Sequence, residues 1–251
     1  MQEITTMKRD IEVIRLDETD STNRWLRDHD GDNDLVVTTD YQTAGKGQGT
    51  NSWESERGKN LLFSIRWCPV SFPANQQFLI SQAVSLAIAD TLSLYINKVE
   101  VKWPNDIYYD DKKLAGILIE NKLHGNWVKH CIIGIGLNVN QRLFLSDAPN
   151  PVSLCQVLNH EVNREHLLDQ LTTAITDSLR NLSTGQVAQL KDRYLQHLYR
   201  IQGLHRYRET ASGKEFMATI RGVADDGQLL LCGEDNQIHC YAFKEVEFVI
   251  G

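Results

Sequence analysis

The sequence has no Cys-x-x-Cys pair and no group of cysteines and histidines at the spacing typical of zinc sites. Its five cysteines lie far apart in the chain, at Cys68, Cys131, Cys155, Cys232 and Cys240. Scattered cysteines are typical of proteins in a reducing compartment, where disulfides are rare. We therefore expect free thiols, a cytoplasmic location and no side chain that binds a metal directly.

Long apolar segments are also absent. The longest apolar stretches carry polar interruptions and are too short for a membrane span, and the polar N-terminus lacks the apolar core of a signal peptide. Acidic residues exceed basic ones, which gives a formal net charge of −7. A chain of this charge is not expected to be a general nucleic-acid binder. These absences predict a soluble protein with neither a membrane nor DNA as a partner.

Three motifs of common enzyme classes are missing. The sequence contains neither the Gly-x-x-x-x-Gly-Lys-Ser/Thr loop of P-loop NTPases nor a Gly-x-Ser-x-Gly elbow. Gly134-Ile135-Gly136 resembles the start of a dinucleotide fingerprint, but the third glycine and the following helix are absent. The sequence therefore argues against P-loop, α/β-hydrolase and Rossmann functions.

The strand and helix patterns that are present predict two domains. Apolar runs predict strands at 12–17, 35–39, 61–67 and 127–138, and helical spacing predicts an amphipathic helix at 75–96 and helices at 153–159, 163–181 and 186–198. After Gly203 only short β-like segments follow, at 206–210, 216–223, 229–232, 238–243 and 247–250. That pattern is typical of a small all-β barrel. We therefore predict domains at 1–202 and 203–251.

The segment 102–120 combines two β-type runs with polar residues that a simple hairpin does not need. Asn105 and Asp106 follow a proline that interrupts strand pairing. Lys113 opens the return strand, and Gly116 leaves a gap in it where a ligand can approach. A carboxamide, a carboxylate and an ammonium beside a gap predict a site for an anionic ligand. A purely structural Lys–Asp pair is the alternative.

Two other polar segments are candidates for ligand binding. Residues 42–60 are predicted to form a long loop, in which three alternating glycines and Lys46 are suited to wrap an anionic oxygen. A loop of this length is usually functional or disordered, and a plain surface loop is the alternative. Upstream, Asp20 or Ser21 is suited to cap a short helix, whose first amides can also bind a polar ligand.

Taken in chain order, these segments resemble the biotin protein ligases, the biotin–[acetyl-CoA-carboxylase] ligases. The matching segments, which lie between about residues 17 and 140, are Asp20–Asn23, Gln42–Gly47 with Trp53, Lys102–Asp106, Lys113–Leu118 and Gly134–Asn138. Lys-Trp-Pro-Asn-Asp followed by Lys-Leu-Ala-Gly-Ile is the most specific part. The resemblance implies an α+β fold, with a mixed β-sheet packed with helices and a small C-terminal SH3-like β-barrel.

The resemblance also implies an ATP-dependent reaction in two steps. The biotin carboxylate attacks the α-phosphorus of ATP, which gives biotinyl-5′-AMP and pyrophosphate, and a lysine amine of a biotin carboxyl carrier domain then attacks the anhydride. Mg²⁺, cationic side chains and backbone amides offset the repulsion between the anions. Lys113 is the catalytic candidate beside the carboxylate and α-phosphate, and Asp106 is the candidate that orients a lysine or helps to deprotonate the amine.

The binding residues are likewise implied by the resemblance. Those for biotin are Ser21, Thr22, Asn23, Gln42, Lys46, Gly47, Gln48, Lys113 and Gly116. Those for ATP and the adenylate are Lys46, Gln48, Trp53, Lys113 and Asn138, since an indole face suits stacking on adenine and a carboxamide suits its edge. The loop would close over the intermediate and shield it from water. The acceptor carboxylase, and whether the ligase is a monomer or a homodimer, stay open.

Two departures from the family pattern have consequences. Where the family's loop commonly carries arginines, this chain has Lys46, Gln48 and Asn51. Only the lysine is charged, and it lacks the arginine fork, which implies weaker retention of biotinyl-AMP. About 16 residues precede Asp17, too few for the helix-turn-helix domain of family members that repress transcription. We therefore expect a ligase without a regulatory role at DNA.

Two rival functions remain open at this point. Lipoate and octanoate protein ligases share the fold and the adenylate chemistry, whereas a non-catalytic protein that binds biotin or a nucleotide belongs to another class. The pair of specific motifs favours biotin over lipoate, and the presence of both Lys113 and Asp106 favours catalysis over simple binding.

Overall fold

The computed structural model describes residues 11–29, 31–49, 51–146, 150–185 and 187–250, except for the side chain of Ala188. These residues form two β-sheets and five α-helices. None of the helices in these ranges is both long and apolar enough to cross a membrane.

The first sheet contains β1 (Glu12–Thr19), β2 (Leu35–Gln42), β3 (Leu61–Trp67), β4 (Val99–Lys102), β5 (Asp106–Tyr109), β6 (Lys112–His124) and β7 (Trp127–Leu137). The helices are α1 (Thr22–Asp28), α2 (Phe78–Leu92), α3 (Leu154–Leu158), α4 (Arg164–Ser183) and α5 (Ala188–Gln196), with a 3₁₀ turn at Ala74–Gln76. The second sheet contains β8 (His205–Glu209), β9 (Glu215–Val223), β10 (Leu229–Gly233), β11 (Ile238–Tyr241) and β12 (Val246–Phe248).

The first sheet has the spatial order β1-β2-β3-β7-β6-β5-β4. β1 and β2 are parallel, and the other neighbouring strands are antiparallel. The predicted mixed sheet is therefore confirmed. β7 lies in the middle, where both of its edges are paired and its faces are covered, which accounts for its nearly continuous apolar run from Cys131 to Gly136.

The two faces of the first sheet are covered by different helices. α2 contacts β4, β5, α4 and α5, and its side chains join the main hydrophobic core. On the opposite face Leu26 of α1 packs with Leu35, Val37 and Ile132 in a small separate cluster. Residues that alternate along one strand therefore enter different cores.

Helix α2 differs from the amphipathic helix predicted at 75–96. It starts after the 3₁₀ turn, ends at Leu92, and is buried on nearly all sides, including Ser81, Gln82 and Ser85. A helix enclosed by a sheet on one side and by other helices on the other has no solvent-facing stripe. Periodicity therefore predicted the helix correctly, whereas its full burial depends on α4 and α5.

The second sheet is antiparallel, with the order β11-β10-β9-β8-β12. The predicted C-terminal all-β structure is confirmed, although the described strands do not close into a barrel, because β11 and β12 are its two edges. Trp103 joins it to the first sheet, with Nε1 donating to Gly227 O at 2.8 Å and its ring centroid 6.0 Å from that of Phe243. The division into domains at 1–202 and 203–251 stays a prediction.

Candidate active site

A floor of glycines lies on the sheet face that carries α1. Ile133 and Ile135 of β7 join the main core, so the alternating residues Gly134 and Gly136 face the other side. Gly116 of β6 pairs with Gly136 across the strands. Three glycines on one face leave the sheet without side chains there, which lets other groups approach its backbone.

The indole of Trp53 lies directly on this floor. A Cβ atom added at Gly136 would lie 2.6 Å from Trp53 Nε1, and one added at Gly116 would lie 2.9 Å from Trp53 Cζ3. The gap predicted at Gly116 is therefore filled by an indole ring in this structure. Trp53 Nε1 is buried and has no hydrogen-bond partner among the described residues, although buried polar groups usually have one.

Lys113 and Asp106 form an ion pair beside the indole. Lys113 Nζ lies 2.8 Å from Asp106 Oδ2 and 5.7 Å from the centroid of the Trp53 ring. The register between β5 and β6 shifts after Ile107, so that Tyr108 pairs with Lys113. A bulge of one residue moves later side chains to the other face, and this shift places Lys113 on the same face as Asp106. The side chains are 29% and 24% exposed, so a ligand can reach them.

A second lysine lies on the other side of Asp106. Lys102 pairs with Asp106 across β4 and β5, and its Nζ lies 5.3 Å and 5.0 Å from the ring centroids of Tyr108 and Phe248. Burial lowers the pKa of Lys102, and the charge of Asp106 partly offsets that effect. Asp106 thus lies between two lysines, of which Lys113 is the one that contacts it directly.

A buried polar cluster lies at the start of α1. Gln42 Oε1 accepts hydrogen bonds from Thr22 N at 2.8 Å and from Thr22 Oγ1 at 3.1 Å. Ser64 Oγ lies 2.7 Å from both Thr22 Oγ1 and Asn23 Oδ1. Asn23 Nδ2 donates to Glu120 Oε2 at 2.8 Å. The cluster offers donors and acceptors fixed by one another, which is what a polar ring such as a cyclic urea requires.

Ser21 occupies the N-cap position of α1, as the sequence predicts. Its side chain makes no capping hydrogen bond, however, so the predicted side-chain cap is wrong. Asp20 Oδ1 instead accepts from the Ser21 amide at 2.6 Å, and Asp20 forms an ion pair with Arg24. The side chain of Ser21 is buried and lines a small pocket together with Asn23 and Lys46.

The loop predicted at 42–60 contains regular backbone hydrogen bonds around its glycines. Lys46 and Ser52 form an isolated β-bridge, Gly47 N donates to Asn51 O at 2.8 Å, and Trp53 N donates to Gly45 O at 3.0 Å. These bonds fold the segment into a narrow hairpin. Lys46 is exposed on one of its sides, and Gln48 lies at its tip.

Asn138 lies just beyond β7 and is buried. Its Nδ2 donates to Val152 O at 3.2 Å and more weakly to Lys113 O at 3.5 Å. Its Oδ1 is buried without a partner in the described part of the chain. Asn138 Oδ1 and Trp53 Nε1 are thus an acceptor and a donor that a bound ligand could satisfy.

Sequence reasoning missed three members of this site. Ser64 lies within an apolar strand, and the only signal is one hydroxyl in the run Leu61–Trp67. Glu120 gave no signal beyond its charge. Gly134 belongs to a matching motif, but the sequence assigned it no role. Its missing side chain makes room for Asn23, whose Cγ would lie 2.9 Å from an added Cβ.

Glu54 connects the two loops next to the site. Its Oε1 accepts from Leu145 N and its Oε2 from Ser146 N, both at 2.8 Å. Gln141 is buried and donates to Glu54 Oε1 at 3.3 Å, while its own Oε1 accepts from Asn60 Nδ2 at 2.6 Å. Burial raises the pKa of Glu54, but these hydrogen bonds outweigh it and hold the pKa below its usual value.

We expect Glu54→Gln to increase the hydrogen-exchange rates of the Leu145 and Ser146 amides about tenfold. The two amides are bound by different oxygens of Glu54, and the carboxamide replaces one of these acceptors by an NH₂ donor, so one of the two hydrogen bonds is lost and the other loses its charge. The matched control is Glu56→Gln, which removes an exposed carboxylate that makes no side-chain hydrogen bond or ion pair with the described residues. Equal exchange in wild type and Glu54→Gln would show that the carboxylate does not hold the loop.

The same interaction should depend on pH. Because the folded pKa of Glu54 is depressed, its stabilisation is fully present above the unfolded pKa and is lost as the pH falls through the folded pKa. Exchange at the two amides in acid should therefore approach that of Glu54→Gln.

The sequence model of the biotin/lipoate A/B protein ligase family matches residues 13–138, which is half of the chain. The chain belongs to this family. The matched region contains Lys113, Asp106, the polar cluster and the glycine floor, and it ends at Asn138.

The relatives described next are named as biotin ligases or as bifunctional ligase/repressors. The chain is 28% identical over 219 residues to the bifunctional ligase/repressor BirA of Bacillus spizizenii, a match that covers 85% of this chain and 66% of that protein. It is 38% identical over 127 residues to BirA of Escherichia coli, covering 49% of this chain and 39% of that protein. It is 29% identical over 205 residues to the biotin–[acetyl-CoA-carboxylase] ligase of Paracoccus denitrificans, a match that covers 76% of this chain and 81% of that protein. The match thus spans just under two thirds of the Bacillus spizizenii protein and well under half of the Escherichia coli one.

The fold is also shared with solved structures. The structure titled biotin protein ligase from Aquifex aeolicus in complex with biotin and ATP aligns with a TM-score of 0.79 and 22% identity, over 95% of this chain and 99% of that one. Because the alignment covers 95% of this chain, the shared fold includes both sheets.

Proposed function

We propose that this protein is an ATP-dependent biotin protein ligase. It forms biotinyl-5′-AMP from biotin and ATP and transfers the biotinyl group to a lysine of a biotin carboxyl carrier domain. The observation that carries the proposal is the Lys113–Asp106 ion pair beside the indole that lies on Gly116 and Gly136. The names of the relatives, which specify biotin ligases, favour biotin over the lipoate or octanoate alternative.

Lys113 carries the first step. A carboxylate that attacks a phosphate brings two anions together, and a fixed ammonium at the point of attack stabilises the charge that develops. Lys113 Nζ is partly exposed and is held on the floor side by Asp106. Lys46, exposed beside the pocket at the start of α1, adds positive charge.

The polar cluster binds the ureido end of biotin. Ser64 fixes the hydroxyl of Thr22 and the carboxamide of Asn23, Thr22 in turn fixes the carboxamide of Gln42, and Ser21 adds a hydroxyl at the rim. A buried hydrogen-bonding site discriminates strongly against a ligand that cannot pair with it. Lipoate has no ureido group, so the cluster supports biotin as the substrate.

The adenine binds at Trp53 and Asn138. An indole face stacks on a purine, and Asn138 Oδ1 can accept from an exocyclic amine. Gly47 and Gln48 line the loop side of the adenylate. The Glu54 contacts with 145–146 join this loop to the segment after Asn138, which helps to exclude water from the anhydride.

Asp106 serves the second step. The acceptor lysine is mostly protonated at neutral pH and must lose a proton before it attacks. Asp106 is the carboxylate in contact with Lys113, so it can orient the ammonium of the acceptor or help to remove its proton. The acceptor is a carrier domain of a biotin-dependent carboxylase, and the reaction takes place in the cytoplasm.

Mg²⁺ enters with ATP in this proposal. No three His, Cys, Asp or Glu residues lie together as a metal site in the described residues. Mg²⁺ that accompanies a nucleotide is held largely by phosphate oxygens and water, with one or two carboxylates at most, so such a cluster is not required. The ion would neutralise the phosphates during displacement of pyrophosphate.

The test is ATP–pyrophosphate exchange, followed by mass measurement of an acceptor carrier domain. With Mg·ATP, biotin should support exchange and add one biotinyl group to the acceptor, whereas lipoate should support at most about 1% of that rate. Equal rates with lipoate would favour the alternative ligase. Biotin binding without exchange would indicate a non-catalytic protein.

A further inference from the structure

The tip of the glycine-containing hairpin carries no charge of its own. Residues 47–51 are closed by the bond from Gly47 N to Asn51 O, and Gln48 occupies the tip. A site that binds a nucleoside triphosphate needs positive charge near its phosphates. Residues 45–53 of the hairpin contain one cation, Lys46, so a further cation near the tip would have to come from another part of the chain.

Lys244 reaches this tip from the second sheet. Its Nζ lies against Gly49, so close that an added Cβ would overlap it, and Cε would lie 3.5 Å from that Cβ. Gly49 has a φ of 70°, a conformation that disfavours any side chain, and the end of the lysine side chain occupies the space that a Cβ would take. The contact joins the C-terminal sheet to the loop that carries Gln48.

The position of Lys244 is set by a rigid turn. Glu245 N donates to Ala242 O at 3.1 Å, and Ala242 N donates to Glu245 Oε2 at 2.7 Å. The neighbouring Phe243 packs on Trp103. This turn therefore rests on the segment that leads into Asp106, and it holds the backbone of Lys244 beside the hairpin.

Lys244 has two features that packing does not explain. Its φ is 68°, a conformation that favours glycine and costs energy for a lysine. Its ammonium is exposed and lies 5.9 Å from the centroid of the Phe243 ring, but it makes no ion pair or hydrogen bond with any residue that the structure describes. A cation held next to a ligand-binding loop, without an acidic partner, is available to an anion.

We propose that Lys244 binds the polyphosphate of ATP and supplies from the C-terminal sheet the charge that Gln48 and Asn51 do not provide. This inference rests on the proposed function, because it assigns a contact to the nucleotide of that reaction. Lys244 acts on binding rather than at the reacting carboxylate, so ATP affinity depends on it whereas biotin affinity does not.

The decisive variant is Lys244→Gly. It removes the ammonium and relieves the positive φ, so the thermal unfolding temperature should stay the same or rise. The Kd for Mg·ATP, measured by calorimetry at low salt, should increase about five- to tenfold, and the difference should shrink as salt screens the charge. The KM for biotin in the exchange assay should not change.

The matched control is Lys98→Gly. Lys98 also has a positive φ, 59°, and its exposed ammonium pairs with Asp110, away from the glycine-containing hairpin. This control removes one cation and the same backbone strain, and it should leave the Kd for Mg·ATP unchanged. Adding Gln48→Arg to Lys244→Gly should restore ATP affinity, and Lys244→Arg should retain it.

The outcomes separate the two proposals. A wild-type Kd in Lys244→Gly would overturn the role of Lys244, and biotin-dependent exchange by the wild type would then leave the ligase function standing. A weakened Kd in Lys244→Gly, with no biotin-dependent exchange by the wild type, would support the nucleotide contact but overturn the biotin ligase. A wild type that does not bind Mg·ATP would overturn both.

Discussion

Lys113→Ala is expected to lower biotin-dependent ATP–pyrophosphate exchange by about 10³-fold. The variant removes the ammonium at the point where the carboxylate meets the α-phosphate. It also leaves Asp106, now without its 2.8 Å partner, to repel both anions. The effect should appear mainly in kcat, because the charge that Lys113 stabilises develops during displacement of pyrophosphate.

Lys112→Ala is the control for that variant. Lys112 is the exposed neighbour in the same strand, and its ammonium has no recorded partner in the described residues, so its loss should change the exchange rate less than twofold. Lys113→Arg keeps the charge but not the length or shape of the ammonium, and it should recover only part of the rate. Exchange by Lys113→Ala at the wild-type rate would refute its catalytic role.

Gly136→Ala is expected to lower kcat/KM for ATP about 100-fold. The new methyl group would lie 2.6 Å from Nε1 and 2.8 Å from Cδ2 of Trp53, which is closer than non-bonded atoms approach. The indole would have to leave the glycine floor, and the adenine would lose its stacking surface. The measurement is steady-state exchange at varied ATP and fixed biotin.

Gly222→Ala is the matched control, because Gly222 also lies in a strand. A methyl group there would meet Leu230 Cδ1 at 3.7 Å, an ordinary contact, and the kinetics should be unchanged. If Gly136→Ala also had wild-type kinetics, the position of Trp53 on Gly116 and Gly136 would have no role in the reaction.

Much of the fold could be predicted from local patterns. The strand at 61–67 has the predicted bounds, and β7 ends one residue before the predicted strand end. Central strands and long helices carry strong patterns because burial selects apolar residues at regular spacing. The parallel pairing of β1 with β2, and the order of seven strands, involve residues far apart in sequence and leave no local pattern.

The candidate site was predictable in its charged residues but not in its surroundings. Lys113 and Asp106 could be predicted as site residues because a simple hairpin does not require an ammonium and a carboxylate at these positions. Ser64 gave no comparable signal, because one hydroxyl in an apolar strand is common. Its role depends on the pairing of β3 with β7 and on the position of α1.

The sequence by itself determined the residue types, the family resemblance and the alternation that separates glycines from core side chains along β7. Tertiary structure decided which distant groups meet. The shift in register between β5 and β6 places Lys113 beside Asp106, and the packing of Phe243 on Trp103 places Lys244 against Gly49. Such contacts join residues separated by long stretches of chain, and side-chain alternation or helical spacing carries no record of them.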